Sequence, residues 1–151
     1  MSQVEKFSVS LKLLLKNKKG EVLTLFTPKT NHVFGFRDFP GGRIDTTERE
    51  KTLKEILFRE VKEELWPNVK VEISDKVISN WRTFVPWTNT DYWKEEAVFY
   101  QLFEAKYLWG EIQISEEHLW FEWVDLKKIE LEKYFCFGLL EALKNLNVWK
   151  N

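Results

Sequence analysis

Apolar and polar positions set out the elements of this chain before any single residue does. Phe7 to Leu15 reads as a strand, Asn17-Lys18-Lys19-Gly20 as a tight turn, and Glu21 to Phe26 as the partner strand of a hairpin. From about Thr47 to Leu65 the period changes. Leu53, Ile56 and Leu57 fall on one side of a helix, at spacings of three and four rather than two. Val69 to Ile73 and Lys76 to Pro86 look extended, the stretch Val-Lys-Val-Glu-Ile being the cleaner alternation. A polar turn, Thr88-Asn89-Thr90-Asp91, separates these from a strand over Glu96 to Tyr107, and Leu119 to Val124 forms another. Leu131, Phe135, Leu139, Ala142, Leu143 and Leu146 recur at helical spacing and predict a closing helix packed on the sheet. Strands and helices alternate unevenly, so the expected class is α/β, with a mixed β-sheet between helices. No repeat, linker or low-complexity tract interrupts the chain, and one domain over residues 1–151 is expected.

The helix carries the most informative residues. Arg59-Glu60-Val61-Lys62-Glu63-Glu64 places three carboxylates and one guanidinium within two turns. At about 100° per residue, Glu63 and Glu64 project roughly 60° and 40° to either side of Glu60, so the three should converge. The same projection puts the apolar stripe of Leu53, Ile56 and Leu57 in that arc. A solvated charged face would lie opposite the stripe, whereas Glu60 and Glu64 continue it and would suffer desolvation and mutual repulsion. That arrangement demands a cation. Clustered carboxylate oxygens suit hard divalent ions, and Mg²⁺ in particular is held by a few carboxylates together with substrate phosphates and water.

Upstream, Phe39-Pro40-Gly41-Gly42-Arg43-Ile44-Asp45 forms a glycine turn leading toward the helix start. Paired glycines let backbone approach a ligand closely, and such a turn can aim backbone groups at phosphate or metal. Glycine pair, following acid and Arg-Glu-aliphatic-X-Glu-Glu together resemble the signature of the Nudix hydrolases. That signature runs glycine, five residues, glutamate, seven residues, then Arg-Glu-aliphatic-X-Glu-Glu-X-Gly-aliphatic. Gly42 and Glu48 match its opening, and Arg59 to Glu64 match its core without a gap, so the box spans about 42–67. There are two departures. Ten residues rather than seven separate Glu48 from Arg59, an insertion of three within Arg49-Glu50-Lys51 that leaves Glu48 and Glu50 both eligible for the first acidic position. Trp66 and Pro67 stand where the signature ends on glycine and an aliphatic residue; proline still stops the helix.

The resemblance implies an α/β/α sandwich and Mg²⁺-dependent hydrolysis of a diphosphate linkage in a nucleoside diphosphate joined to another group, with Mn²⁺ as a substitute ion. It implies catalytic roles for Arg59, Glu60, Glu63 and Glu64, and metal binding by Gly42, Glu60, Glu63 and Glu64. One of the glutamates or a carboxylate from a later loop would be the base. Arg59 is expected to orient carboxylates rather than clamp substrate. Among Glu95, Glu96, Glu116 and Glu117, the last is best placed to add an outside carboxylate, just before the strand over Leu119 to Val124. His32 and His118 are the only histidines.

Composition narrows the substrate. With 151 residues, 18.2 kDa and a net charge of −1, the chain has no general electrostatic pull toward nucleic acid or an anionic membrane, which favours a small nucleotide. The N-terminus has no signal-peptide core and no stretch approaches about 18 apolar residues, so a cytoplasmic location is expected. The single Cys136, set among aromatic residues in the closing helix, reads as a buried thiol. It is also poorly placed for the isomerases of the same fold family, which use a cysteine at the front of the site. Eight tryptophans are present, and Trp81, Phe84, Trp87, Tyr92 and Trp93 cluster around one turn, where they could stack on a base or form core or a homodimer interface. Arg37, Arg82, Trp87, Trp93 and Glu117 are the candidate substrate contacts. The alternative reading is a catalytically silent nucleotide-binding module.

Overall fold

The computed structural model describes residues 2–29, 35–86 and 95–146. Its centre is a seven-stranded mixed sheet in the order β3-β2-β1-β6-β5, with β4 paired to β1 and β7 to β2. The strands are β1 (Ser8–Lys16), β2 (Val22–Phe26), β3 (Arg37–Asp38), β4 (Gly41–Arg43), β5 (Lys70–Pro86), β6 (Glu95–Trp109) and β7 (Phe121–Val124). The parallel pair β1–β6 runs from Ser8 opposite Val98 to Lys16 opposite Lys106, and the other pairings are antiparallel.

Side-chain alternation explains the layers. Odd positions of β1, β2 and β6 (Leu11, Leu13, Leu15, Leu23, Leu25, Phe103, Ala105) pack against Ile56, Leu57, Val61 and Leu65 of the helix α1 (Leu53–Leu65). Even positions (Leu14, Val22, Leu102) turn to the opposite face, against Phe135, Leu139, Ala142 and Leu143 around α2 (Leu131–Tyr134) and α3 (Phe137–Lys144). The result is the α/β/α sandwich expected from the sequence.

Three boundaries differ from expectation. The helix anticipated from Thr47 is two pieces: one 3₁₀ turn over Thr46–Glu48, then α1 from Leu53, with Arg49, Glu50 and Lys51 exposed between them. Each piece has its own capping box, Asp45 with Glu48 and Thr52 with Glu55, and two competing caps split what periodicity alone would join. The two extended segments after α1 are one strand, β5, whose register against β6 slips between Ile73, Val77 and Ser79. The closing helix is interrupted, because Phe135 and Cys136 adopt extended backbone. This drops Phe135 into the core, stacked on Phe39 with centroids 4.9 Å apart. No helix among the described residues is long and apolar enough to cross a membrane.

Candidate metal and substrate site

The glycine pair is held tightly by its surroundings. Gly41 and Gly42 lie opposite Lys12 and Leu11 in the β1–β4 ladder. A Cβ on Gly41, whose φ is 134°, would fall 1.9 Å from the Leu11 carbonyl oxygen, so only glycine fits. On Gly42 the nearest atom to a Cβ would be Glu60 Oε1, at 2.6 Å, so this residue's bare backbone makes the space in which that carboxylate lies.

Arg59 organises the acids around it. Its Nε and Nη2 donate to the two oxygens of Glu48 at 2.8 and 2.9 Å, Nη1 donates to Glu63 Oε2 at 2.8 Å, and Nη2 lies 2.8 Å from Glu60 Oε1. The planar fork thus bridges three carboxylates, a task a point charge could not perform. Glu48, not the exposed Glu50, is the acid that Arg59 binds. Its bond to Arg59 holds its carboxyl below the ordinary value, and the same bond raises the guanidinium. Glu60 is raised, because burial outweighs the attraction of Arg59.

Glu64 is the most buried of the helix acids, 3 % exposed, and its Oε2 accepts a 2.8 Å hydrogen bond from the Gly41 amide. Burial pushes its carboxyl well above the ordinary range despite the nearby Lys12 ammonium. Lys12 is itself buried and pairs with Asp38 Oδ2 at 2.9 Å. Burial opposes ionisation of Asp38, but the Lys12 ammonium and the neighbouring His118 bring it down to about 2.

The expected convergence of Glu60, Glu63 and Glu64 on one point is only partly realised, since Arg59 draws the first two to itself. Among the described residues the donors gathered within 4.8 Å of one another are Glu64, Glu117 and His118. The loop before β7 is brought there by backbone bonds to the end of α1: Gln113 N to Leu65 O at 3.1 Å and Ser115 N to Glu64 O at 3.0 Å. His118 Nδ1 is buried without a hydrogen-bond partner. The oxygen-rich donor set fits a divalent cation.

Other candidates fall elsewhere. Arg37 stacks on Phe26, 3.5 Å from the ring centroid, and pairs with Glu122 at 2.8 Å; it borders a hollow of about 230 Å³ with Leu119 and Tyr134. Arg82 is exposed on β5 opposite Phe99. Glu96 pairs with Arg43 at the mouth of the glycine turn, and Glu116 is exposed. Trp81 and Phe84 are partly exposed on β5, whereas His32, Trp87, Tyr92 and Trp93 lie outside the described residues. Cys136 caps the start of α3 rather than sitting within a helix, and burial lifts its thiol to about 11. Trp66, at the signature's glycine position, takes φ 100°, a conformation glycine enters without strain. Sequence reasoning passed over Lys12 and Asp38. The available signal was a lysine on an inward-facing position of a leucine-rich strand, which needs a buried counter-charge.

No family model matches the chain, and no curated protein matches it by sequence. Solved structures do. A MutT protein from Methanosarcina mazei Go1 superposes with a TM-score of 0.73 at 23% identity, covering 99% of both chains. The NUDIX domain of Shewanella oneidensis NrtR, solved with ADP ribose, gives 0.62 at 16% identity over 95% of this chain and 86% of that one. A MutT NUDIX hydrolase from Burkholderia pseudomallei gives 0.57 at 16%, over 83% and 88%. With the glycine turn of β4 beside the Arg59 fork and the buried Glu64 of α1, the chain has the fold of the MutT and Nudix hydrolases.

Proposed function

We propose that this protein is a Nudix-type pyrophosphohydrolase, cleaving the diphosphate linkage of a nucleoside diphosphate joined to another group with the help of Mg²⁺ or Mn²⁺. The observation that carries this reading is the fork of Arg59, which gathers Glu48, Glu60 and Glu63 beside the glycine turn where Glu64 is fixed. Three carboxylates around one guanidinium, with Glu64 beside them, leave a surplus of negative charge that a structural ion pair does not need. Gly42, Glu60, Glu63 and Glu64 are the residues that would hold the metal. When bound, the ion neutralises the diphosphate oxygens and makes water a better nucleophile. Arg59 keeps the carboxylates aimed, and one of the glutamates, Glu117 included, takes the proton from water.

The substrate end is read from the hollow beside the metal-ligand loop. Tyr134 and the Arg37 guanidinium, itself stacked on Phe26, line it and offer flat surfaces on which a base can stack. That a domain of similar fold binds ADP ribose supports a nucleotide of this kind. The test is a panel of nucleoside triphosphates, ADP-ribose, nucleotide sugars, dinucleoside polyphosphates and capped RNA, incubated with protein and Mg²⁺ or Mn²⁺ and resolved by chromatography. Glu63→Gln and Glu64→Gln should each lower turnover by orders of magnitude while the fold persists. Turnover equal to the parent in both variants refutes these roles. Nucleotide-dependent thermal stabilisation with no product would mark a silent binding module instead.

A further inference from the structure

We infer that Lys12 is a positioning residue for the proposed metal site: paired with Asp38, its ammonium grips the glycine turn so that the Gly41 amide stays against Glu64. The inference rests on the metal-dependent reading above and adds to it a residue outside the signature.

Stability alone does not call for a lysine here. Lys12 lies on β1 between Leu11 and Leu13, and its side chain is 8 % exposed, that of Asp38 14 %. Withdrawing two charges from water is expensive, and apolar side chains of similar volume often serve stability as well or better. Lys16, one turn of the pleat further along the same strand, shows the ordinary case: it pairs with Glu104 at 2.9 Å where water still reaches both charges.

What the buried ammonium touches is the glycine turn. Its Nζ lies 2.9 Å from Asp38 Oδ2 and 3.5 Å from the Gly41 carbonyl oxygen, while Asp38 Oδ1 accepts from the Phe39 amide at 2.8 Å. Gly41 is thus held from two sides, its carbonyl by Lys12 and its N–H by Glu64 Oε2 at 2.8 Å. The turn needs such support. Pro40 brings no N–H, β4 is three residues long, and Gly41 at φ 134° has no side chain to restrict it. Glu60 lies against the next residue, Gly42, so a turn that shifts disturbs Glu60 and Glu64 together. The Lys12 charge also faces the Glu64 carboxylate. By charge alone a cation there would weaken the binding of a metal ion, so any benefit to the site comes through position.

The experiment uses the full chain stripped with chelator and titrated with Mn²⁺, the free ion being read by electron paramagnetic resonance without nucleotide; steady-state kinetics follow. The double variant Lys12→Met, Asp38→Leu exchanges the pair for apolar groups with no change of net charge. Its thermal midpoint should stay within about 5 °C of the parent. Its Mn²⁺ affinity should nevertheless fall by about 10-fold or more, and kcat by about 10- to 100-fold with KM within about threefold. Lys16→Met, the control on the same strand, should change neither. Parental Mn²⁺ affinity and kcat in the double variant would overturn the inference, since a merely structural pair is replaced without such losses. In the parent, the Lys12 ammonium ¹⁵N resonance is followed as Mg²⁺ is added. It is expected to shift, and an unmoved signal at saturating Mg²⁺ overturns the inference even should the variant fold poorly. Undiminished Mn²⁺ binding by the double variant defeats this inference alone; Mn²⁺ binding lost in that variant, from a parent that hydrolyses no nucleotide, defeats only the proposed activity.

Discussion

Gly42→Ala isolates the geometry of one carboxylate from the stability of the fold. The new methyl would stand 2.6 Å from Glu60 Oε1 and 3.0 Å from its carboxyl carbon, where ordinary contact begins at 3.4 Å. The carboxylate must therefore retreat by about 0.8 Å, the gap between 2.6 and 3.4 Å. It is the end of a flexible side chain, so the backbone need not move. Arg59, at 2.8 Å, would be dragged or released with it. A displacement near 1 Å in a catalytic constellation costs about 100-fold in rate. We expect kcat/KM to fall by about 30- to 100-fold, equivalent to about 2–3 kcal/mol of lost transition-state stabilisation. Stability should change by no more than about 1 kcal/mol, since the substitution also restricts the unfolded chain. Gly41→Ala is the contrast: its methyl meets the Leu11 carbonyl at 1.9 Å and its φ is 134°, so the β1–β4 ladder must break and folding suffer. The assay is steady-state kinetics on the substrate found by the nucleotide panel, with denaturant unfolding of the same preparations. Parental kcat/KM in Gly42→Ala would refute the claim that Glu60 must lie against this glycine for turnover.

Two further outcomes follow from single residues. Trp66 holds φ 100° and ψ 144° while 45 % exposed, so Trp66→Gly should relieve backbone strain at little packing cost and stabilise the chain by about 1 kcal/mol in urea unfolding; no gain would mean the conformation carries no strain. Asp38 has its folded value lowered from 3.8 to about 2, so its contribution is complete above pH 3.8 and is lost as pH falls toward 2. In metal-free protein this loss should be on the order of 2 kcal/mol across that window and absent from Asp38→Asn. Identical acid profiles for parent and variant would contradict the Lys12–Asp38 assignment.

What the sequence determined by itself was whatever depends on near neighbours. Helical period fixed α1 and the shared side of Glu60 and Glu64, two-residue alternation fixed the opening hairpin, and glycine's conformational freedom marked the turn at Gly41 and Gly42. Even there, the caps at Asp45 and Thr52 divided what periodicity joined, because side-chain bonds to the backbone act over three residues and override a pattern read over fifteen. Tertiary structure decided everything that turns on distance through space. It chose Glu48 over Glu50 by placing one under the Arg59 fork, and turned Arg37 onto Phe26. It also brought Lys12, Asp38 and His118 from three separate strands and loops to the back of Glu64. Charge and hydrogen bonding act over a few ångströms of space whatever the separation along the chain, and only the closed sandwich sets those distances.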